Sequence, residues 1–351
     1  MALVPAHSRF SWPLSRFMPG AANPPNLTTW QTLDAAGEYA SLVLQADQAM
    51  TVSHVAFRNG TATGSPTLNV RIETVDTTTG QPTGTLWAPN TSINTGVLAS
   101  NAFGTYALTA AASIAVGDVF AIKLAYSSGT SVIVQQVTNV QQSSARPYYA
   151  TSIGGTAAKA IASGLVMALG SSATSFYEVP QLYPFSSVSF SAFNNASSAK
   201  KGARFKVPFR CGCVGIRISQ GTAVGDFNII LMDDSGAELA NSSTAIDANR
   251  RLNTGFYPLW LRFDNAVPLS PNTWYRAVIE PSTATNARID YFILPSSNFQ
   301  SAWPGGGDFY MTEFAAPTWT DTVTQIPELD IIIDQLDDGN NNSPIWAMAG
   351  G

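Results

Sequence analysis

An internal repeat constrains this chain more than any other feature, because halves that match in order must build one structural unit twice. His54-Val55-Ala56-Phe57-Arg58 matches Cys213-Val214-Gly215-Ile216-Arg217, and Leu68-Asn69-Val70-Arg71-Ile72 matches Phe227-Asn228-Ile229-Ile230-Leu231. Both pairs are 159 positions apart (58 to 217, 68 to 227), and Thr95-Gly96 stands at the same separation from Thr254-Gly255. After the second strand of each copy comes an acidic turn, Asp76 to Gly80 and Asp233 to Gly236, where Asp supplies hydrogen bonds and Gly the positive φ of a reversal. The segment Ser113–Ala121 then matches Pro268–Arg276 at a separation of 155 (113 to 268), so loops have shortened between the copies.

Within each copy the runs alternate with period two. Leu68, Val70 and Ile72 fall on one face and Asn69 and Arg71 on the other, the pattern of a half-buried antiparallel strand. Many such runs, bounded by Gly, Pro, Asn and Asp and without amphipathic helices between them, predict an all-β chain of two tandem antiparallel β-sandwich, jelly-roll-like domains. Thr156–Leu169 is rich in Ala, but Gly164 and the following Gly170-Ser171-Ser172 weigh against a helix, and Leu165–Leu169 is read as a strand. The expected divisions are an extended N-terminal arm over 1–30, sandwich domains over 31–176 and 177–336, and a turn-rich tail over 337–351. The arm carries Pro, Phe, Trp and Arg without a period, and is expected to gain order by lying on a neighbour.

Composition narrows the function. Only 12% of the 351 residues are charged, about half the usual share, while 45% are hydrophobic, which excludes a disordered chain. The net charge of −5 and the absence of a basic run longer than Lys200-Lys201 give no field for a phosphate backbone, so no nucleic-acid partner is expected. Residues 1–25 contain no continuous apolar core of the kind a secretory signal needs, and no stretch is long and apolar enough to insert in a membrane. Cys211 and Cys213 are the two cysteines; they make no disulfide scaffold and are read as buried thiols.

Catalytic constellations are hard to assemble from these residues. A Ser or Cys nucleophile needs a base, and the histidines are His7, in the arm, and His54, beside a buried strand and matched by Cys213 in the other copy. Two thiols without a further pair of ligands cannot complete a zinc site, so no metal and no cofactor are expected. Glu73, Asp76, Asp233, Asp234, Glu238, Asp308 and Glu313 could in principle supply a glycosidase pair, but turn chemistry accounts for Asp76, Asp233 and Asp234. Asp334, Asp337 and Asp338 before Gly339 lack EF-hand spacing and are read as a solvated acidic turn. Among Trp87, Trp260, Trp274, Trp303, Phe309, Tyr310 and Trp319, Trp274 is expected in the core. Trp303, in a Gly-rich loop, together with Phe309 and Tyr310, is the candidate surface contact for protein or host glycan.

The line Leu33-Asp34-Ala35-Ala36-Gly37-Glu38-Tyr39-Ala40, then Ala49-Met50-Thr51-Val52, Phe57-Arg58, and Val75-Asp76 through Gly80-Gln81-Pro82-Thr83-Gly84-Thr85 resembles β-sandwich structural proteins of tailed bacteriophages. Trp319-Thr320-Asp321 and Asp334-Gln335-Leu336-Asp337-Asp338-Gly339 are similar to the close of such proteins, so the resemblance spans roughly residues 30 to 340. It implies a non-enzymatic virion component, of capsid-decoration, head-fibre or tail-associated type, folded in the host cytoplasm and placed on the particle. Its expected partners are other virion proteins and further copies of itself. A carbohydrate-binding module or receptor-binding fibre component is the alternative, with a glycoside hydrolase behind it.

Overall fold

The structure, a computed structural model, describes residues 10–12, 30–138, 148–160, 163–177, 179, 182, 185–193, 199–220, 227–244, 257–282, 287–302 and 307–337. These residues form an all-β protein of antiparallel sheets. The chain divides into two compact units: one covers Pro24–Ser187 with Leu294–Trp303, the other Val188–Ile293 and Pro304–Gly351 together with Met1–Asn23. Strand β1 (Phe10–Trp12) therefore belongs with the second unit, and the short 3₁₀ helix Ser297–Ala302 with the first.

The first unit contains β2 (Trp30–Leu33), β3 (Tyr39–Gln45), β4 (Met50–Thr63), β5 (Thr67–Val75), β6 (Pro82–Leu86), β7 (Ser92–Asn94) and β8 (Phe103–Ile114). It continues with β9 (Val119–Ser128), β10 (Ser131–Thr138), β11 (Tyr148–Ile153), β12 (Thr156–Ala160), β13 (Ser163–Leu165) and β14 (Met167–Gly170). The Ala-rich stretch is thus three short strands, with the expected strand at Leu165–Leu169 broken at Val166. One sheet runs β12-β11-β3-β9-β5-β6, with β7 also on β5; the other runs β13-β10-β4-β14, with β2 on β10 and β8 on β4. Leu42, Leu44, Val70, Ile72, Phe120 and Ile122 of the first sheet meet Val52, Val55, Phe57, Val132, Val134 and Met167 of the second in one buried core. Period-two alternation puts these residues on facing sides, and their removal from water is the main stabilising term.

The second unit contains β15 (Ser187–Phe193), β16 (Lys200–Phe205), β17 (Arg210–Gln220), β18 (Phe227–Asp233), β19 (Glu238–Thr244) and β20 (Tyr257–Leu269). Then come β21 (Tyr275–Pro281), β22 (Ala287–Ile293), β23 (Phe309–Ala315), β24 (Thr318–Thr322), β25 (Gln325–Pro327) and β26 (Leu329–Asp337). Its sheets run β24-β23-β16-β21-β18-β19, β1-β26-β17-β20 and β15-β22-β25. Strand for strand this is the first unit again. Among the described residues the copies differ in three pairings: β10 pairs with β4 in the first copy whereas β22 and β17 belong to separate sheets in the second, β7 on β5 has no counterpart on β18, and β26 takes β1 where β14 takes a bridge to Phe176.

Even the registers agree. Met50 faces Ile114 and Val52 faces Ala112 before an irregularity, after which His54 faces Ala107. In the second copy Cys211 faces Leu269 and Cys213 faces Val267 before an irregularity, after which Gly215 faces Arg262. The shared bulge makes Gly215 the counterpart of His54. This corrects the match of His54 with Cys213 by two residues, a slip that leaves every side chain on its own face. The Leu68–Ile72 match with Phe227–Leu231 stands, because Ile72 and Leu231 pair with the equivalent residues Ile122 and Ala277. The turn before β9 and β21 needs one left-handed residue, supplied by Gly117 (φ 86°) in one copy and Asn272 (φ 56°) in the other. Thr254-Gly255 lies outside the described residues.

Cys211 and Cys213 are both buried and form no disulfide. Asp334 and Asp337 belong to β26 rather than to a solvated turn, and Asp338 lies outside the described residues. Among the described residues no helix is long and apolar enough to cross a membrane.

Candidate assembly edge and diverged sheet face

Matched by register, the two copies have parted on one surface. On the face of the β12-β11-β3-β9-β5-β6 sheet turned away from the core, Val43, Ala121, Tyr148 and Ala150 form a buried apolar cluster, with Val75 and Val119 packed against it. The equivalent positions of the second copy are Arg204, Arg276, Tyr310 and Thr312, with Asp234 and Trp274 beside them. The exchange runs the other way on the neighbouring strands. Arg71, Lys123 and a fully buried Glu73 form an ion cluster in the first copy, where the second has Ile230, Met232 and Val278 packed with Trp319. Among the described residues, these charged and apolar clusters of the two copies thus occupy exchanged places on this face.

The charged cluster of the second copy is self-satisfied. Arg204 reaches Asp234 through Nε at 2.7 Å and Nη2 at 2.8 Å, a bidentate pair, and donates from Nη1 to the Tyr310 hydroxyl at 2.6 Å and to Asp321 at 3.1 Å. Arg276 donates to Asp321 Oδ1 at 2.7 Å and to the Thr312 hydroxyl, which in turn donates to Asp321 at 2.7 Å. Burial alone would raise the Asp321 carboxyl, but the hydrogen bonds from Arg276 and Thr312 and the two guanidinium charges hold it below its ordinary value. The hydrogen bond to Asp234 raises the Arg204 guanidinium further. Cations also occupy the rings: Arg204 and Lys206 stand 4.4 and 4.3 Å from the Trp274 ring centre, and Arg276 stands 4.5 Å from that of Trp319. An aromatic face already carrying a cation does not offer itself to a sugar ring.

The second feature is a sheet edge. Antiparallel to β26, β1 pairs Phe10 with Ile333, Ser11 with Ile332 and Trp12 with Ile331. In the first copy the equivalent strand is β14, and the chain closes its edge at once: Gly170 bridges to Phe176, and the Tyr177 amide donates to the Leu169 carbonyl at 2.8 Å. Register equates Gly170 with Ile332, since these residues face His54 and Gly215 respectively. Ser11 therefore fills the place that Phe176 fills in the first copy, but it comes from the opposite end of the chain.

The residues singled out from sequence are dispersed. Trp303 lies outside the described residues, as does His7. Phe309 and Tyr310 sit in β23 at 2% and 6% exposure, so within this chain they are packed rather than presented; Tyr310 completes the Arg204 cluster. Trp274 is half-buried at the cluster rather than central to a core. His54 Nδ1 donates to the Ser53 hydroxyl oxygen at 2.8 Å, and that hydroxyl donates in turn to the Ser171 carbonyl at 2.6 Å, a local tie. Asp76 caps its turn through the amides of Thr78 and Thr79, and Asp233 accepts from the Ser235 hydroxyl and the Ala237 amide. Glu313 pairs with Lys201 and Asp308 with Lys206, both at 2.8 Å, and Glu238 accepts from Asn241. Burial pushes the Cys211 thiol up to about 12, far from a nucleophile's range. Sequence reasoning missed Glu38, a buried carboxylate that accepts the amides of Asp34, Ala35 and Gly154 at 2.8 to 3.1 Å and so ties two turns together. The signal available was an acidic residue closing a Gly-containing turn.

No family model matches this chain, and no curated protein matches it. Among solved structures, the chain is similar to the exported protein XepA of PBSX, at 13% identity over 77% of this chain and 88% of that one, with a TM-score of 0.18. It is also similar to the infectious bursal disease virus Gt strain structure (9% identity, 89% and 81% covered, TM-score 0.15) and to that virus's VP2 subviral particle (8%, 91% and 84%, TM-score 0.14). Superpositions this loose carry no argument about role.

Proposed function

We propose that the chain is a non-enzymatic structural component of a bacteriophage particle, a head-decoration or tail-associated protein that works through protein–protein contacts in multiple copies. The observation that carries the assembly part is the β26 edge, which accepts an antiparallel strand from a segment remote in sequence. Strand addition gives backbone hydrogen bonds to whatever chain supplies the strand, and open edges are a common site of association. Paired ion clusters on the sheet face support the same reading, because their groups hold each other rather than stand ready for a substrate. The placement on a virion rests on the strand and turn patterns that resemble tailed-phage structural proteins.

Light scattering on the purified chain, with and without residues 1–30, tests the proposal. A defined oligomer that falls apart on truncation is the expected result. A monomer in both forms would overturn assembly through the arm and turn attention to a glycan array, on which binding by the monomer would support the carbohydrate-binding alternative.

A further inference from the structure

Deepening the assembly reading above, we infer that β1 is an exchangeable strand, and that the β26 edge of one copy takes β1 from a second copy of this chain. The repeat itself makes the argument. The first copy closes its β14 edge with the residues that follow it directly, from Gly170 round to Phe176, a reversal that fixes few residues. In the second copy the equivalent edge receives residues 10–12, which residues 13–29 join to the other unit. Seventeen residues separate β1 from β2, and a chain of that length spans at most ~60 Å when extended.

Exchange costs little in contacts. The pairs Phe10–Ile333, Ser11–Ile332 and Trp12–Ile331 form identically whichever copy supplies β1, so the balance between closing on itself and bridging is set by effective concentration. A ladder of three residue pairs is short enough to open without unfolding the sandwich, and each opening exposes an edge that templates a strand. Ile331, Ile332 and Ile333 are all buried, and Leu329 and Ile331 match the buried Met167 and Leu169 of the first copy; the sandwich therefore persists while its edge strand changes partners.

Mixing single-cysteine variants tests this. Ser11→Cys and Ile332→Cys chains, combined in equal amounts and oxidised mildly, are expected to give a mixed disulfide dimer at about a quarter of the strand junctions, the share that random pairing dictates. The doubly substituted chain is the control for internal closure, and the parent chain, whose Cys211 and Cys213 are buried, is the control for background. If the double variant closes within one chain while the mixture stays uncrosslinked, exchange is refuted. If Ile332→Cys fails to fold, a photoreactive residue at Trp12 in a mixture of ¹⁴N and ¹⁵N chains separates the same two outcomes: crosslinks to residues 331–333 of mixed isotope support exchange, and crosslinks of single isotope refute it. Light scattering on the parent separates the two claims. An oligomer without mixed crosslinks removes exchange and leaves assembly standing; a monomer removes both.

Discussion

Removing Asp321 alone should cost the second unit about 2–4 kcal/mol, whereas removing Asp321 together with Arg276 should cost less than removing Asp321 by itself. Asp321→Ala strips Arg276 of its bidentate partner and leaves the Thr312 hydroxyl without that acceptor, on a guanidinium whose side chain is only 6% exposed. Breaking a buried pair from one side typically costs about 3–5 kcal/mol, because an uncompensated charge remains. Two features reduce that here: the Asp321 side chain is 25% exposed, and Asp234 stays 3.7 Å from Arg276 as a second anion. Arg276→Met in the same chain removes the stranded cation and keeps an unbranched apolar stem under Trp319. The first copy supplies the precedent, since Ala121 occupies the position equivalent to Arg276 within an apolar cluster. The assay is urea unfolding followed by tryptophan emission, with Trp274 and Trp319 as reporters of this unit. For a unit of this size m is about 2 kcal/mol/M, so the single variant should shift its midpoint by about 1–2 M and the double variant by less. A double variant less stable than Asp321→Ala would refute the reasoning, as would a single variant within about 0.5 kcal/mol of the parent.

Glu38→Ala should destabilise the first unit by about 2–3 kcal/mol, as three amides lose a charged acceptor. The amides of Asp34, Gly154 and Ala35 hold the Glu38 carboxyl below its ordinary value against the opposing effect of burial. A depressed folded value makes this contribution present above the unfolded range near 4.5 and lost as pH falls through the folded value. An acid titration of stability in which the variant and parent fail to converge at low pH would contradict this. Gly202→Ala should lower stability by about 1–3 kcal/mol, since its Cβ would press on the Ala277 carbonyl oxygen across β16 and β21; an unchanged melting temperature would count against the register. Thiol reagents should modify Cys211 only on unfolding, because burial holds its thiol up at about 12, and prompt labelling of the native protein would refute its burial.

How much of the fold and site is legible in the sequence follows from what each signal measures. Period-two alternation in segments such as Leu68–Ile72 specifies a strand with one buried face, so the all-β class and the repeat can be read directly. The same periodicity cannot place His54, because moving a strand by two residues returns every side chain to its face; only the shared bulge in the register identifies Gly215 as its counterpart. The Arg204–Arg276–Asp321–Asp234 cluster draws on residues scattered between 204 and 321, and no local spacing marks residues that meet only when β16, β21, β23 and β24 lie side by side. Phe309 and Tyr310 look like candidate contacts in a sequence preceded by glycines, yet β23 lies beside β16, with Phe309 opposite Phe205 and Tyr310 opposite Arg204, and both side chains are buried.

What the amino-acid sequence determined by itself was local and periodic: strands, turns, the order of the two copies, and a charge balance that offers a phosphate backbone no basic field. What the tertiary structure decided was which distant residues share a sheet. It placed charges and apolar side chains in exchanged positions on the two copies, and it closed the last sheet with residues 10–12 rather than with the chain's own next turn. The physical reason is that strand pairing is made of backbone hydrogen bonds, which are nearly indifferent to side chain, so the choice of partner is written in packing and chain connectivity rather than in any local pattern.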